Sequence, residues 1–238
     1  MKSSIKISVV IPALREKENL LCLTPRWLNF FKHSGLKYEI IYVLDGTKEN
    51  SGYNLLKKKY KKNKNIKLFY RPDREGYSSS LTFGFMQVAK DSDYVVTMDV
   101  DNHAPEELTN ILAPLLFVDY DIIIGSRYIE GGKFVLPLWK RFLSKTMNTI
   151  MPLMLGLTTK DNTSGYRLYK KESLDKIYPQ IRETGFECLP ELLMVAKKEG
   201  MIFKEVPINF HARQYGKSKM RFFKTIFGYL RLFWRRIL

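Results

Sequence analysis

The sequence has 238 residues, of which 45% are apolar, and this suffices for one α/β domain with a substantial core. It carries 40 lysines and arginines against 24 aspartates and glutamates. The resulting net charge of +16 predicts a polyanionic partner: nucleic acid, an anionic membrane surface or a phosphorylated substrate. Two cysteines, Cys22 and Cys188, exclude a disulfide framework and a cysteine metal site. No apolar run approaches the roughly 20 residues that span a bilayer.

Apolar runs alternate with amphipathic stretches through the first half of the chain. The predicted strands are residues 5–11, 38–44, 66–70, 94–98 and 122–125. The first predicted helix follows Glu16 and ends near residue 32, and further helices cover residues 51–62, 78–90 and 106–117. A later helix covers residues 185–199, and a strand covers residues 202–211. This order predicts a Rossmann-like, mostly parallel central sheet flanked by helices.

Two carboxylates, Asp99 and Asp101, follow the predicted strand 94–98, and His103 comes two residues later. Ligands of an open α/β sheet bind at the carboxyl ends of its strands. Carboxylates placed there can hold a hard divalent cation that neutralises a ligand's phosphates. A solvated turn that caps the next helix would use the same residues, so the pattern alone leaves both interpretations open.

The ligand edge lacks two common nucleotide signatures. The segment after the first strand reads Pro-Ala-Leu-Arg-Glu, where a dinucleotide-binding chain would have Gly-x-Gly-x-x-Gly, and there is no Walker sequence. A nucleotide would therefore be held by carboxylates, arginines and metal.

Several short segments resemble glycosyltransferase family 2 in content and in order. They are residues 8–12 with Glu16, residues 43–47, 71–76, 98–101 and 125–128. The second half resembles the dolichyl-phosphate mannose synthase branch at residues 161–167, Glu191, residues 205–208 and residues 213–219.

The resemblance implies a glycosyltransferase-A fold over residues 1–219 and an inverting transfer of a mannose-type or glucose-type hexose. The implied donor is GDP-hexose or UDP-hexose, the acceptor is a dolichyl or undecaprenyl type of polyprenyl phosphate, and the cofactor is Mg²⁺ or Mn²⁺. It also implies a cytoplasmic enzyme that is peripheral on the cytoplasmic face of a membrane. A membrane-protein partner is possible, and nucleic acid is not an expected ligand.

Roles implied by the resemblance fall on matching positions of this chain. The implied donor-binding residues are Pro12, Glu16, Asp45, Arg71, Gly76, Asp99 and Lys219. The implied metal ligands are Asp99, Asp101 and His103, and the implied catalytic residues are Asp99, Asp101, Arg127 and Arg213. The implied acceptor-phosphate residues are Arg127, Lys140, Arg141 and Ser144.

Departures from the family pattern leave two properties open. His103 replaces the branch's metal-binding glutamine, which predicts a preference for Mn²⁺ and a loss of metal affinity as the imidazole protonates below about pH 6.5. Leu14, Arg15 and Leu44 replace family residues near the nucleotide base, so the sequence does not decide between a GDP-sugar and a UDP-sugar donor.

A phosphate acceptor is already a dianion near pH 7, so its transfer needs positioning cations and no general base. One alternative is a family 2 transferase that glycosylates a saccharide hydroxyl in cell-surface polysaccharide synthesis and uses Asp161 or Glu191 as the base. A second is a non-enzymatic basic module that binds membrane or nucleic acid. From the residues alone, Arg127 could also simply pair with a nearby carboxylate.

Residues 220–238 form a predicted basic amphipathic helix. Its predicted apolar face carries Phe222, Phe223, Ile226, Phe227, Leu230, Phe233, Trp234 and Ile237. The other face carries the cations Arg221, Lys224, Arg231 and Arg235. Such a helix is suited to an anionic membrane interface, although docking on the core is the alternative. If it lies at the membrane, its removal should affect only delivery of the enzyme to long-chain acceptor.

Overall fold

The computed structural model describes residues 5–73, 76–135, 138–211, 213, 215–216 and 222–237. The strands are β1 (Lys6–Leu14), β2 (Lys37–Asp45), β3 (Ile66–Arg71), β4 (Tyr94–Thr97), β5 (Ile122–Ser126), β6 (Lys133–Phe134), β7 (Arg167–Lys170), β8 (Phe203–Pro207) and β9 (Asn209–Phe210). The helices are α1 (Lys17–Ser34), α2 (Lys48–Ser51), α3 (Tyr53–Tyr60), α4 (Tyr77–Met86), α5 (Leu108–Leu112), α6 (Leu138–Leu155), α7 (Lys171–Ile177), α8 (Cys188–Lys198) and α9 (Phe222–Ile237).

The main sheet has the strand order β3-β2-β1-β4-β7-β5-β8 within the described residues. Strands β3, β2, β1 and β4 pair in parallel, as do β5 and β8. Only the β7 pairings with β4 and β5 are antiparallel in this sheet as described. The mostly parallel sheet flanked by helices confirms the sequence prediction. Strand β7 was not predicted, because its four residues begin with an arginine, end with a lysine and form no apolar run.

The core lies on both faces of the sheet because side chains alternate along each strand. Ile7 and Val9 of β1 pack with Trp27 of α1 on one face. Val10 packs on the other face with apolar residues of α4 and α8, such as Leu81 and Leu192. Burial on both faces explains why the strands read as continuous apolar runs.

Two predicted elements are interrupted in the structure. The helix expected over residues 106–117 consists of the 3₁₀ turn Pro105–Glu107, helix α5 and the 3₁₀ turn Ala113–Leu116. Pro114 lies in that last turn, and its ring removes a backbone donor from a continuing helix. The strand expected over residues 202–211 is divided into β8 and β9.

Helix α9 docks on the domain through ion pairs. Arg231 contacts Glu183 and Glu187, and Arg235 contacts Glu183 and Glu191. These glutamates are at most 3% exposed, so they require counter-ions inside the protein. The alternative that this helix docks on the core is therefore present in the structure for Arg231 and Arg235, and removing the helix would also take counter-ions from buried glutamates.

The apolar side of α9 faces solvent at Phe227, Leu230 and Trp234, which are 70%, 44% and 62% exposed. Neighbouring α6 contacts α9 and exposes Ile150 and Leu153. Among the helices of the described residues, none has both the length and the apolarity needed to cross a bilayer. Arg221 lies outside the described residues.

Candidate active site

The carboxyl ends of neighbouring parallel strands bring several predicted donor residues to one edge of the sheet. Leu14 at the end of β1 lies in register with Asp45 at the end of β2, and Asp45 lies in register with Arg71 at the end of β3. The loop after β4 carries Asp99 and Asp101 to the same edge, because β4 pairs with β1. The predicted convergence of these segments is therefore present.

Asp45 and Arg71 form a closed, buried pair. The Arg71 guanidinium donates through Nε to Asp45 Oδ1 and through Nη2 to Asp45 Oδ2, both at 2.8 Å. Ser80 donates its hydroxyl to Asp45 Oδ2 at 2.6 Å. The structure thus pairs two of the predicted donor-binding residues with each other. Their contact with a nucleotide-sugar donor stays a prediction.

Pro12 and Gly76 shape the backbone of this edge. Pro12 is buried within β1 beside Val43 of β2. Gly76 has a φ of +114°, and a Cβ at this position would lie 2.3 Å from the carbonyl oxygen of Thr184. Any other residue at position 76 would push these two segments apart. Lys219, the remaining predicted donor residue, lies outside the described residues.

Asp99 and Asp101 lie close together at this edge, with side chains that are 27% and 6% exposed. Tyr77 donates its hydroxyl to Asp99 Oδ1 at 3.1 Å. Burial raises the pKa of Asp99. Burial and the neighbouring charge of Asp99 raise the pKa of Asp101 to about 6. Two carboxylates that destabilise each other's ionised forms favour a nearby cation.

Arg213 supplies such a cation. Its Nη2 lies 2.5 Å from Asp101 Oδ2, and its Nη1 donates to Glu16 Oε1 at 2.9 Å. Asn19 donates to Glu16 Oε2 at 2.6 Å and to the Tyr215 carbonyl at 3.3 Å. The Arg213 guanidinium, from the C-terminal third, thus joins Glu16 in the loop after β1 to Asp101 in the loop after β4.

His103 is buried between the rings of Tyr166 and Phe210, at centroid distances of 5.3 and 5.2 Å. Burial, and then the positive charge of Arg127, lower the pKa of His103 to about 3. The expectation that His103 protonates below about pH 6.5 was therefore wrong. Its Nε2 lies 4.0 Å from Asp99 Oδ2, and neither ring nitrogen has a hydrogen-bond partner among the residues that the structure describes.

The side chains of Asp99, Asp101 and His103 fit a divalent cation that binds together with a diphosphate. No cluster of three or more His, Cys, Asp or Glu side chains with metal-binding geometry occurs in the described part of the chain. Mg²⁺ and its analogues are often held by one or two carboxylates, with substrate phosphates as further ligands. Asp99 and Asp101 can supply those carboxylates, and the unpartnered nitrogens of His103 place a neutral imidazole beside them.

Arg127, predicted to bind the acceptor phosphate, pairs with Asp161. Its Nε and Nη2 donate to the two oxygens of Asp161 at 2.7 and 2.6 Å, and Nη2 also donates to Thr163. Burial alone would raise the pKa of Asp161, but the charge and hydrogen bonds of Arg127 outweigh it and hold this pKa below its ordinary value. The alternative that Arg127 pairs with a carboxylate is thus present in the structure.

The predicted acceptor segment lies beside Arg127. Tyr128 donates its hydroxyl to Ser144 Oγ at 2.6 Å, and this contact joins α6 to the end of β5. Arg141 lies on α6 with an exposed side chain. Lys140 is in the same helix, but its side chain lies outside what the structure describes.

Three residues of the site had no predicted role: Tyr77, Asn19 and Ser80. Asn19 follows Glu16 by three residues, the spacing of neighbours at a helix start, so it could have been found from local pattern. Tyr77 and Ser80 follow Gly76 in a stretch without distinctive chemistry. Only tertiary packing brings them to Asp99 and Asp45.

The mostly parallel sheet with flanking helices has the glycosyltransferase-A fold, which it shares with the solved structures described below. The chain belongs to glycosyl transferase family 2, whose sequence profile matches residues 8–178. This confirms the resemblance drawn from the motifs.

Two relatives match most of the chain. It is 34% identical to the dolichol-phosphate mannosyltransferase of Pyrococcus furiosus, over 97% of this chain and 63% of that protein. It is 33% identical to the polyprenol monophosphomannose synthase of Mycolicibacterium smegmatis, over 89% of this chain and 80% of that protein. The chain thus spans less than two thirds of the length of the Pyrococcus relative.

Solved structures share the fold. Glucosyl-3-phosphoglycerate synthase of Mycobacterium tuberculosis, in complex with Mn²⁺, UDP and glucosyl-3-phosphoglycerate, superposes with a TM-score of 0.69 at 16% identity, over 97% of this chain and 77% of that one. The same enzyme with Mg²⁺ and UDP gives a TM-score of 0.64, over 91% and 74% of the two chains. At this identity the match establishes the fold alone.

Proposed function

We propose that this protein transfers a hexose from a nucleoside diphosphate sugar to a polyprenyl phosphate, with inversion at the anomeric carbon. One observation carries the choice of acceptor: both carboxylates considered as a general base are engaged elsewhere. Asp161 is fully buried against Arg127. Glu191 is buried and accepts from the backbone N–H groups of Arg182 and Glu183 and from Arg235.

A phosphate acceptor removes the need for that base. An oxygen of the phosphate dianion forms the new bond to the anomeric carbon, and the bond from that carbon to the diphosphate breaks with its electron pair on the leaving group. A saccharide hydroxyl would have to lose a proton in the same step. The similarity to two polyprenyl-phosphate mannosyltransferases supports the same acceptor class.

The residues at the sheet edge would bind and orient the donor. Asp99 and Asp101, with His103 beside them, would hold Mg²⁺ or Mn²⁺, and such a cation offsets charge that develops on the departing diphosphate. Arg213 contacts Glu16 and Asp101, so its guanidinium would supply positive charge beside that diphosphate. Arg127, Arg141 and Ser144 would line the neighbouring acceptor side.

A donor screen tests the first half of this proposal. Thermal unfolding would be followed with GDP, GDP-mannose, UDP and UDP-glucose, each with and without Mn²⁺. Ligand at about a hundred times its Kd stabilises by about 2.7 kcal/mol, so one nucleotide series should raise Tm by roughly 5 °C or more, with Mn²⁺ required. No shift with either base would contradict a nucleotide-sugar donor.

We further propose that α6 and α9 place the protein on a membrane surface. Phe227, Leu230, Trp234 and Leu153 are exposed apolar side chains on two helices in mutual contact, and the exposed Arg141 and Lys145 lie on α6. Apolar side chains flanked by cations suit the interface of an anionic bilayer. Enzymes that use polyprenyl phosphate meet their acceptor at such a surface.

The membrane proposal is tested with a triple variant, Leu153→Gln, Phe227→Gln and Trp234→Gln. We expect weaker sedimentation with anionic vesicles and slower use of a long-chain acceptor, with a short soluble acceptor used as before, since these side chains contribute apolar contact with lipid. The control is Leu116→Gln with Phe117→Gln, which changes two apolar side chains that are 74% and 86% exposed outside α6 and α9. Equal vesicle binding by the wild type and both variants would contradict this surface.

A further inference from the structure

Tyr77 lies between the candidate donor site and the segment 183–187. Its hydroxyl donates to Asp99 Oδ1 at 3.1 Å, and its ring stacks on Phe186 at 4.4 Å with an interplanar angle of 21°. Burial raises the pKa of Asp99, and the Tyr77 hydrogen bond is the strongest interaction that opposes this rise. The hydroxyl therefore both orients the carboxylate and favours its ionised form.

The backbone around Tyr77 is fixed by a close approach. The N–H of Ser78 donates to the carbonyl oxygen of Thr184 at 3.2 Å. Gly76 meets the same carbonyl so closely that a Cβ would lie 2.3 Å from it. The beginning of α4 and the segment 183–187 are thus held in one relative position.

The same segment also contacts the C-terminal helix. Arg231 pairs with Glu183 and lies 3.5 Å from Glu187 Oε1. Gly228 packs against the Glu187 carboxylate, and a Cβ there would lie 2.5 Å from Glu187 Cδ. The segment 183–187 therefore contacts Tyr77 through Phe186 and contacts α9 through Glu183 and Glu187.

We propose that Tyr77 is a positioning residue for Asp99, that Phe186 orients the Tyr77 ring, and that α9 supports both through Glu183 and Glu187. This inference rests on the proposed donor site at Asp99. A carboxylate that binds a cation contributes less to ligand affinity when its side chain is free to rotate. The hydroxyl of Tyr77 removes that freedom from one oxygen and leaves the other for the ligand.

The test is Tyr77→Phe, which removes one oxygen atom and keeps the stacked ring. GDP and UDP binding with Mn²⁺ would be measured by calorimetry, together with Tm, kcat and the KM for acceptor. Because a hydrogen bond to a charged group is stronger than one between neutral groups, we expect its loss to lower nucleotide affinity and kcat by about tenfold. The acceptor KM should stay within twofold and Tm within a few degrees. Tyr38→Phe, a stacked tyrosine on β2, is the control and should leave all of these values unchanged.

Two further variants test the support behind Tyr77. Phe186→Leu and Arg231→Gln should lower nucleotide affinity in the same direction by a smaller factor, at protein concentrations and temperatures where both are fully folded by circular dichroism. If Tyr77→Phe binds nucleotide and turns over like the wild type, or loses only Tm, the positioning role is wrong. If Arg231→Gln alone binds nucleotide like the wild type, the supporting role assigned to α9 is wrong. If the wild type itself binds neither GDP nor UDP with Mn²⁺, it is the proposed function that fails.

Discussion

Replacing Asp101 by asparagine is expected to reduce sugar transfer by about a hundredfold or more, because a metal-binding and charge-stabilising carboxylate is lost from a buried site. The amide keeps the size of the side chain and loses its negative charge. Calorimetry should show that Mn²⁺ no longer strengthens nucleotide binding. Asp101 is chosen because its carboxylate meets both Asp99 and Arg213.

The same variant should not unfold the protein. Burial and Asp99 raise the pKa of Asp101 to about 6, so at pH 7 the ionised form is held at a cost in stability. Asparagine carries no such cost, and we expect an unchanged or higher Tm. Loss of activity with Tm preserved would separate a functional role from a structural one.

The matched control is Asp91→Asn, which makes the same chemical change at an exposed carboxylate paired with Lys6. This control should keep its activity and its Mn²⁺ dependence. If Asp101→Asn bound the nucleotide diphosphate as tightly as the wild type in Mn²⁺, the donor site would have been placed wrongly.

The parallel strands could be predicted closely from the sequence. The strand expected over residues 38–44 is Lys37–Asp45, and the one expected over residues 122–125 is Ile122–Ser126. Both are buried on two faces, and such strands are recognisable as unbroken apolar runs bounded by polar residues. The carboxyl ends of these strands then place Asp45 and the β4 loop at one edge without further information.

The partners of charged side chains could not be predicted in this way. Arg127 meets Asp161 from 34 residues away, and Arg231 meets Glu183 from 48 residues away. No local pattern encodes such contacts, because they depend on how β5 and α9 pack against distant loops. The same limit applies to Tyr77, whose hydroxyl reaches Asp99 only through tertiary packing.

These pairings change which experiments are informative. Replacing Arg127 would leave the Asp161 charge buried without its partner, and breaking such a pair typically costs about 3–5 kcal/mol of stability. Removing α9 would likewise leave three buried glutamates without Arg231 and Arg235. Varying the acceptor molecule, with the protein unchanged, avoids both problems.

The central claim is that the acceptor is a phosphate that needs no general base. The purified protein, with Mn²⁺ and the donor found by the thermal screen, would be given a polyprenyl phosphate, the polyprenol of the same chain length, and free saccharides. Losing a positioned base costs a hydroxyl acceptor about 10² to 10⁴ in rate, so transfer to the phosphate should exceed transfer to the alcohol by at least about a hundredfold. Transfer to the alcohol or to a saccharide at the rate found for the phosphate would contradict the account, because a general base would then have to act in a site where Asp161 and Glu191 are both engaged.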